Sequence, residues 1–128
     1  MLAACGGGTN ALKGTAWTLT TVDGRDAISQ AAPWMSFDDS TRVTGSTGCN
    51  SFGGKWKASG SNLSFDEIAA TLIGCPGPIG DQEAAFTAAL DAVKSYAIEN
   101  GALMLKDSSG TTRLAFQPRA NTTPAPTP

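Results

Sequence analysis

The hydrophobic period changes once along this chain, and that change limits the folds open to it. From Asp81 to Lys94 the large apolar residues Phe86, Leu90 and Val93 fall on one face at helical spacing, with alanines between them. Asp81 is placed to cap the start of this helix, Glu83 suits its positive end and Lys94 its negative end. Elsewhere the apolar residues alternate in short runs bounded by turn residues, the pattern of half-buried strands. A chain with many short strands and one helix cannot build a helical bundle or a doubly wound parallel sheet. It reads as α+β: a curved antiparallel β-sheet approaching a small barrel, with one α-helix, about residues 81–94, packed against it.

The strands can be placed individually. Ala16 to Val22 alternates and ends at the turn Asp23-Gly24. Trp34-Met35-Ser36-Phe37 and Thr41 to Gly45 form one hairpin across Asp38-Asp39-Ser40, and Lys55 to Ala58 and Leu63 to Phe65 form another across Ser59 to Asn62. Ile68 to Ile73 is a further extended segment with weak alternation, and Gly74-Cys75-Pro76-Gly77-Pro78 reads as non-helical. After the helix come strands at 95–99, 102–106 and 112–117, the first two joined by Asn100-Gly101, a strong two-residue hairpin signal.

Residues 1–11 and 118–128 lie outside this pattern. Leu2-Ala3-Ala4-Cys5 resembles the lipobox of bacterial lipoproteins, in which lipid is attached to the cysteine and cleavage makes it the first mature residue. Gly6-Gly7-Gly8-Thr9-Asn10 suits a flexible tether. Only Met1 precedes the box, so the charged and apolar parts of such a signal are expected upstream of the start given. From Pro118 the composition of Pro, Thr, Ala and Asn predicts a disordered tail, including the sequon-like Asn121-Thr122-Thr123. The expected organisation is therefore a lipobox remnant and tether over 1–11, one domain over 12–117 and a tail over 118–128.

Of 128 residues, three are cysteine and none is histidine. Without histidine there is no Ser-His-Asp or Cys-His site and no standard zinc set. If Cys5 carries lipid, Cys49 and Cys75 remain. In an oxidising compartment they are expected to pair, the alternative being two buried thiols. The nine basic residues are scattered and the net charge is −2, which argues against nucleic acid as a partner. The paired carboxylates Asp38-Asp39 and Asp66-Glu67 sit at predicted turns, where local hydrogen bonding explains them. No loop has calcium-ligand spacing and no glycine-rich stretch has the context of a phosphate cradle. The expectation is a protein that is not an enzyme, holds no metal or cofactor, and is monomeric.

Several stretches together resemble the META (HslJ-like) domain family: Trp17-Thr18-Leu19; Gly45-Ser46-Thr47-Gly48-Cys49-Asn50-Ser51-Phe52-Gly53-Gly54-Lys55-Trp56; Thr71-Leu72-Ile73-Gly74-Cys75; Glu83-Ala84-Ala85-Phe86 leading to Leu90; and the strands around Leu103-Met104-Leu105 and Leu114-Ala115-Phe116. The family motif falls on Gly45, Gly48, Cys49, Asn50, Phe52, Gly54, Trp56, Thr71, Cys75 and Glu83. The resemblance implies a small barrel-like fold with one helix, an envelope location and no known enzymatic activity. It also implies links to heat shock and to tolerance of the antibiotic novobiocin.

The motif residues also have a physical reading. Gly45 and Gly48 meet demanding backbone angles, Asn50 closes an Asx turn, Phe52 and Trp56 anchor the loop in the core, and Gly54 allows a bulge or close backbone approach. Trp17 and Trp56 are expected in the core. Trp34 is less tied to the pattern and is a candidate contact surface. The expected partner is an unidentified envelope protein or a small ligand, with the membrane reached through lipid on Cys5.

Overall fold

The computed structural model describes residues 11–38 and 41–119. The lipidation candidate Cys5, the glycine tether, Asp39, Ser40 and the sequon-like Asn121-Thr122-Thr123 lie outside the described residues.

The strands are β1 (Thr15–Val22), β2 (Arg25–Asp26), β3 (Trp34–Phe37), β4 (Arg42–Ser46), β5 (Ser51–Ser59), β6 (Asn62–Ala70), β7 (Ser95–Glu99), β8 (Ala102–Lys106) and β9 (Thr112–Pro118). All pairings are antiparallel and run in chain order apart from the short β2. β9 also returns to β1, so that eight strands close into a barrel. β2 pairs with the end of β1 at Thr21 and Val22, on the edge that β3 occupies further back. The seam of the barrel is thinnest between β6 and β7, where the only register pair is Asn62 with Ser95.

Period-2 alternation explains the strands. In β3, Met35 and Phe37 point inward while Trp34 and Ser36 point out, and in β5 Phe52, Gly54 and Trp56 are the buried positions. Two turns have consecutive positive φ angles, Asp23-Gly24 and Asn100-Gly101, as expected of two-residue hairpins. Met35, Phe37, Val43, Leu63, Phe86, Leu103, Leu105, Leu114 and Phe116 are wholly buried and fill the barrel. Trp17 and Trp56 join them as expected, with Trp56 edge-on to Phe37 at 5.1 Å between centroids.

The helix α1 spans Gly77–Ala92, four residues earlier at its start than the sequence suggests. Pro76 is the capping residue and Pro78 lies in the first turn, where a missing N–H breaks no helical bond; the prolines start the helix instead of preventing it. Asp81 is therefore inside the helix and not its cap, and Lys94 lies beyond its end. The buried face is Gln82, Phe86, Ala89 and Leu90, packed on β1, β6 and β9, with Val93 buried just after it.

Two further segments differ from expectation. Ile68, Ala69 and Ala70 do not begin a new strand but complete β6, which stays one element through an irregularity opposite Gly53–Lys55 with Glu67 at φ 56°. At the C-terminus, Pro118 pairs with Trp17 and the Arg119 amide donates to the Ala16 carbonyl at 2.9 Å. The fold thus runs two residues past the expected boundary at 117.

Candidate functional site

The family-like residues converge where the β4–β5 loop, the segment after β6 and the second turn of α1 meet. Gly45 is the last inward position of β4, and a Cβ there would sit 2.1 Å from the Trp34 carbonyl. Its requirement is close strand approach; the demanding backbone angle belongs to Gly48, at φ 93° with the Ala31 carbonyl 2.3 Å from where a Cβ would be. A Cβ on Gly54 would meet Ile68 Cδ1 at 2.5 Å, and the register slips there, as a bulge requires.

Inside this loop the polar groups form a latch. Thr47 is wholly buried and Asn50 is 4% exposed. Thr47 Oγ1 accepts from the amides of Asn50 at 2.8 Å and Cys49 at 3.2 Å, and donates to Glu83 Oε2 at 2.7 Å. The local turn is thus closed by Thr47, which leaves the Asn50 side chain to reach across the fold. Asn50 Nδ2 donates to Glu83 Oε2 at 2.6 Å and to the Ile73 carbonyl at 3.0 Å. Asn50 Oδ1 accepts from Thr71 Oγ1 at 2.7 Å and from the Ile73 amide at 2.6 Å. All four hydrogen-bonding positions of one side-chain amide are used. The expected Asx turn is absent because Asn50 Oδ1 accepts from Thr71 and Ile73 instead of from the amide two residues on.

A disulfide joins Cys49 to Cys75 beside this network, with Cα atoms 6.2 Å apart. It pins the segment that Asn50 holds by hydrogen bonds. Next to Glu83 on the helix, Gln82 repeats the arrangement: its Oε1 accepts from the Ile28 amide and its Nε2 donates to the Ala31 carbonyl, each at 2.8 Å. Phe52 and Phe86 complete the join at 5.8 Å between ring centroids. Cys49, Asn50, Phe52, Thr71, Cys75 and Glu83 are therefore brought together, and Gly48 borders them through the contact with Ala31. Trp56 belongs to the other end of β5. Trp34 stands apart, half-buried on the outer face of β3 with the Arg119 guanidinium 4.3 Å from its ring centroid.

Thr47 and Gln82 were not singled out in the sequence. A threonine three residues before Asn50 is a usable turn signal. Gln82 gives none, because a glutamine on a helix face is ordinarily solvated.

The arrangement is structural chemistry. The Thr47 hydroxyl and the whole Asn50 amide are committed to other parts of the fold, and Glu83 holds both of them through Oε2. The perturbed titrations lie elsewhere. The Ser109 hydroxyl, more than any other group, lowers the Asp107 carboxyl, with backbone amides and Arg113 adding to it. Arg113 is raised chiefly by its hydrogen bond to Asp23, and burial raises Tyr96. Among the described residues no three His, Cys, Asp or Glu side chains gather as a metal-binding group, and no helix is long and apolar enough to cross a membrane. A hollow of about 350 Å³ forms an outer cleft between the end of β1, β2 and α1, bordered by Arg25, Asp26, Asp81 and Gln82.

Comparison with known proteins agrees with this architecture. An NMR structure of a protein from Burkholderia xenovorans superposes with a TM-score of 0.74 at 21% identity, over 94% of each chain. A second NMR structure gives 0.69 at 22% identity, over 91% of this chain and 95% of the other. The crystal structure of a DUF4847 family protein from Bacteroides vulgatus ATCC 8482 gives 0.50 at 19% identity, over 72% of this chain and 61% of the other. At these identities the likeness is one of fold. No curated protein matches. The family model described as META domain matches residues 10–121, and the chain belongs to the META domain family.

Proposed function

We propose that this META domain is a non-catalytic module of the bacterial cell envelope, carried by lipid on Cys5, that works by contacting another envelope protein. The observation that carries the reading is the Cys49–Cys75 disulfide, since such bonds persist in oxidising, extracytoplasmic compartments. The Leu2-Ala3-Ala4-Cys5 sequence and the glycines after it supply an anchor and a spacer. A role in stress or antibiotic tolerance fits an envelope module of this family. Contact with a partner is favoured over catalysis because the buried polar residues are consumed by the latch.

The alternative is a small-molecule or lipid carrier. An internal cavity in the sheet finds no support, because wholly buried Phe, Leu and Met side chains fill the barrel. What remains for that reading are surface hollows beside α1, among them the cleft bordered by Arg25, Asp26, Asp81 and Gln82.

The test is metabolic labelling with an alkyne fatty acid of cells expressing the protein behind a complete signal. Wild type should label and fractionate with membranes, and Cys5→Ala should do neither. Labelling that persists in Cys5→Ala would refute the anchor, and recovery of the wild type with reduced cysteines would refute the location.

A further inference from the structure

β6 has one strand neighbour along most of its length. Its pairing with β5 runs from Asn62 to Ala70, whereas its pairing with β7 stops at Asn62. The Leu63 amide donates outward to the Lys94 carbonyl at 3.0 Å, so two residues on, the Phe65 amide also faces away from β5. The Thr71 amide donates inward to the Ser51 carbonyl at 3.0 Å, so by alternation the Ala70 amide faces outward. From Ser64 to Ala70 this edge pairs with no strand among the described residues. An unpaired edge is a template for another strand.

The edge borders a groove whose far wall is α1. Ala70, Leu72 and Ile73 line one side, Gly80, Ala84 and Thr87 the other, around a hollow of about 330 Å³. Thr87 also borders the smaller hollow that continues it toward Phe65, Ile68, Leu90 and Asp91. The small residues on the helix keep the groove open. Leu72 is 95% exposed and Ile73 60%, although both belong to a segment tied down by the disulfide and by Asn50. Two large apolar side chains are thus held rigidly in water beside a free edge.

The charges indicate what pairs there. Asp66 and Glu67 lie on β6 and Asp91 on α1, and Glu83 of α1 borders the larger hollow with its Oε2 held by Thr47 and Asn50. Lys55 is ion-paired to Glu67 at 3.5 Å, and among the described residues no basic side chain pairs with Asp66 or Asp91. Lys57, opposite Ser64, and Lys94 stand at the Asn62 end of the unpaired stretch. Two copies joined antiparallel about the middle of the unpaired stretch, at Glu67, would bring Asp66 and Glu67 of both together, which is unfavourable. We propose that the β6 edge, from Phe65 to Ile73, receives an extended segment of another envelope protein. That segment adds as a strand, sets alternate apolar residues against Ile68, Leu72 and Ile73, and carries lysine or arginine opposite Asp66 and Asp91. This rests on the interaction reading above and names its surface.

The test places a photo-reactive benzoylphenylalanine at Leu72, at Trp34 or at Ile98 of the lipidated protein in living cells, with the cross-linked peptide sequenced. The expected result is one adduct from position 72, to a segment of alternating apolar residues with a basic residue. A synthetic copy of that segment should protect the Ala70 and Phe65 amides from exchange. Binding should weaken at least tenfold with Ala70→Pro, which removes an outward N–H, or with Leu72→Lys, which alters a solvated side chain and leaves the fold intact. Adducts only from 34 or 98 would overturn this surface and leave the interaction reading standing. Adducts from none would overturn both. An adduct between two copies of this chain, or peptide binding without amide protection, would overturn the strand-addition partner.

Discussion

Replacing Asn50 tests whether the latch is a principal support of the fold. Besides a long contact from Nδ2 to Cys49 Sγ at 3.4 Å, the side chain makes four hydrogen bonds to nitrogen and oxygen, two to the Ile73 backbone, one to Thr71 and one to Glu83. A buried hydrogen bond contributes about 1 kcal/mol net, so full loss would cost about 4 kcal/mol. Thr71 and Ile73 lie in an exposed segment and regain water when released, and Glu83 keeps Thr47 as a donor. Asn50→Ala is therefore expected to cost about 2–3 kcal/mol. For a domain of this size that is a fall in Tm of about 8–12 °C.

Asn50→Asp sharpens the test. It keeps both acceptor contacts but turns the donor that meets Glu83 Oε2 at 2.6 Å into a second carboxylate. At neutral pH the variant should be less stable than Asn50→Ala, because like charges meet where solvent is excluded. Repulsion raises the pKa of the introduced group in the folded state. Protonation therefore favours the fold, and the deficit relative to wild type should shrink as pH falls below about 5. The assay is thermal unfolding of the three oxidised proteins between pH 3.5 and 8. An Asn50→Ala cost below about 1 kcal/mol, or a pH-independent deficit for Asn50→Asp, would refute the latch as described.

Three further outcomes follow from the same geometry. Reducing the Cys49–Cys75 disulfide opens a loop of 26 residues and should cost about 3–4 kcal/mol. Since Asn50 holds the same segment, denaturant titration of Asn50→Ala under reducing conditions should show a total loss that differs from the sum by more than about 0.5 kcal/mol. Gly48→Ala should lower Tm far more than Gly60→Ala: both have positive φ, but only at Gly48 does a Cβ meet backbone, 2.3 Å from the Ala31 carbonyl, and equal melts would count against that contact. Asp107 has a lowered carboxyl pKa, so its ionised form stabilises the fold above the unfolded value and that stability is lost as pH falls through the lower folded value. Asp107→Asn should thus be less stable than wild type at pH 7 and converge with it once the pH has fallen below the lowered folded value, and a gap that persists there would show the carboxylate charge to be irrelevant.

What could be read before the structure was what neighbouring residues decide. Asn100-Gly101 and Asp23-Gly24 encode their turns in their own backbone preferences, and Phe86, Leu90 and Val93 show their common face by spacing alone. Barrel closure has no such local sign, because β1 and β9 meet across nearly the whole domain and each looks like any half-buried strand. The start of α1 was hidden by Pro76 and Pro78, residues that stop a helix from within but suit its first turn. β6 reads as two segments in the sequence because the irregularity at Glu67 shifts its alternation, and the weak alternation at 68–73 goes with large residues that face water.

The same distinction separates the motif from the surface proposed for binding. Gly48, Cys49, Asn50, Thr71, Cys75 and Glu83 are far apart in sequence and share one purpose, to fasten the 71–75 segment to the β4–β5 loop and α1. The Asn50 amide has all its donors and acceptors used inside the fold and none left for a ligand, so its part in the motif is to hold the domain together. The family-like residues do fix where Leu72 and Ile73 stand. Holding apolar side chains in water has no benefit to folding, and a loose segment could turn them inward. The latch and the disulfide prevent that, which is why the stability of Asn50→Ala and the partner contacts of position 72 should fail together if the segment is released.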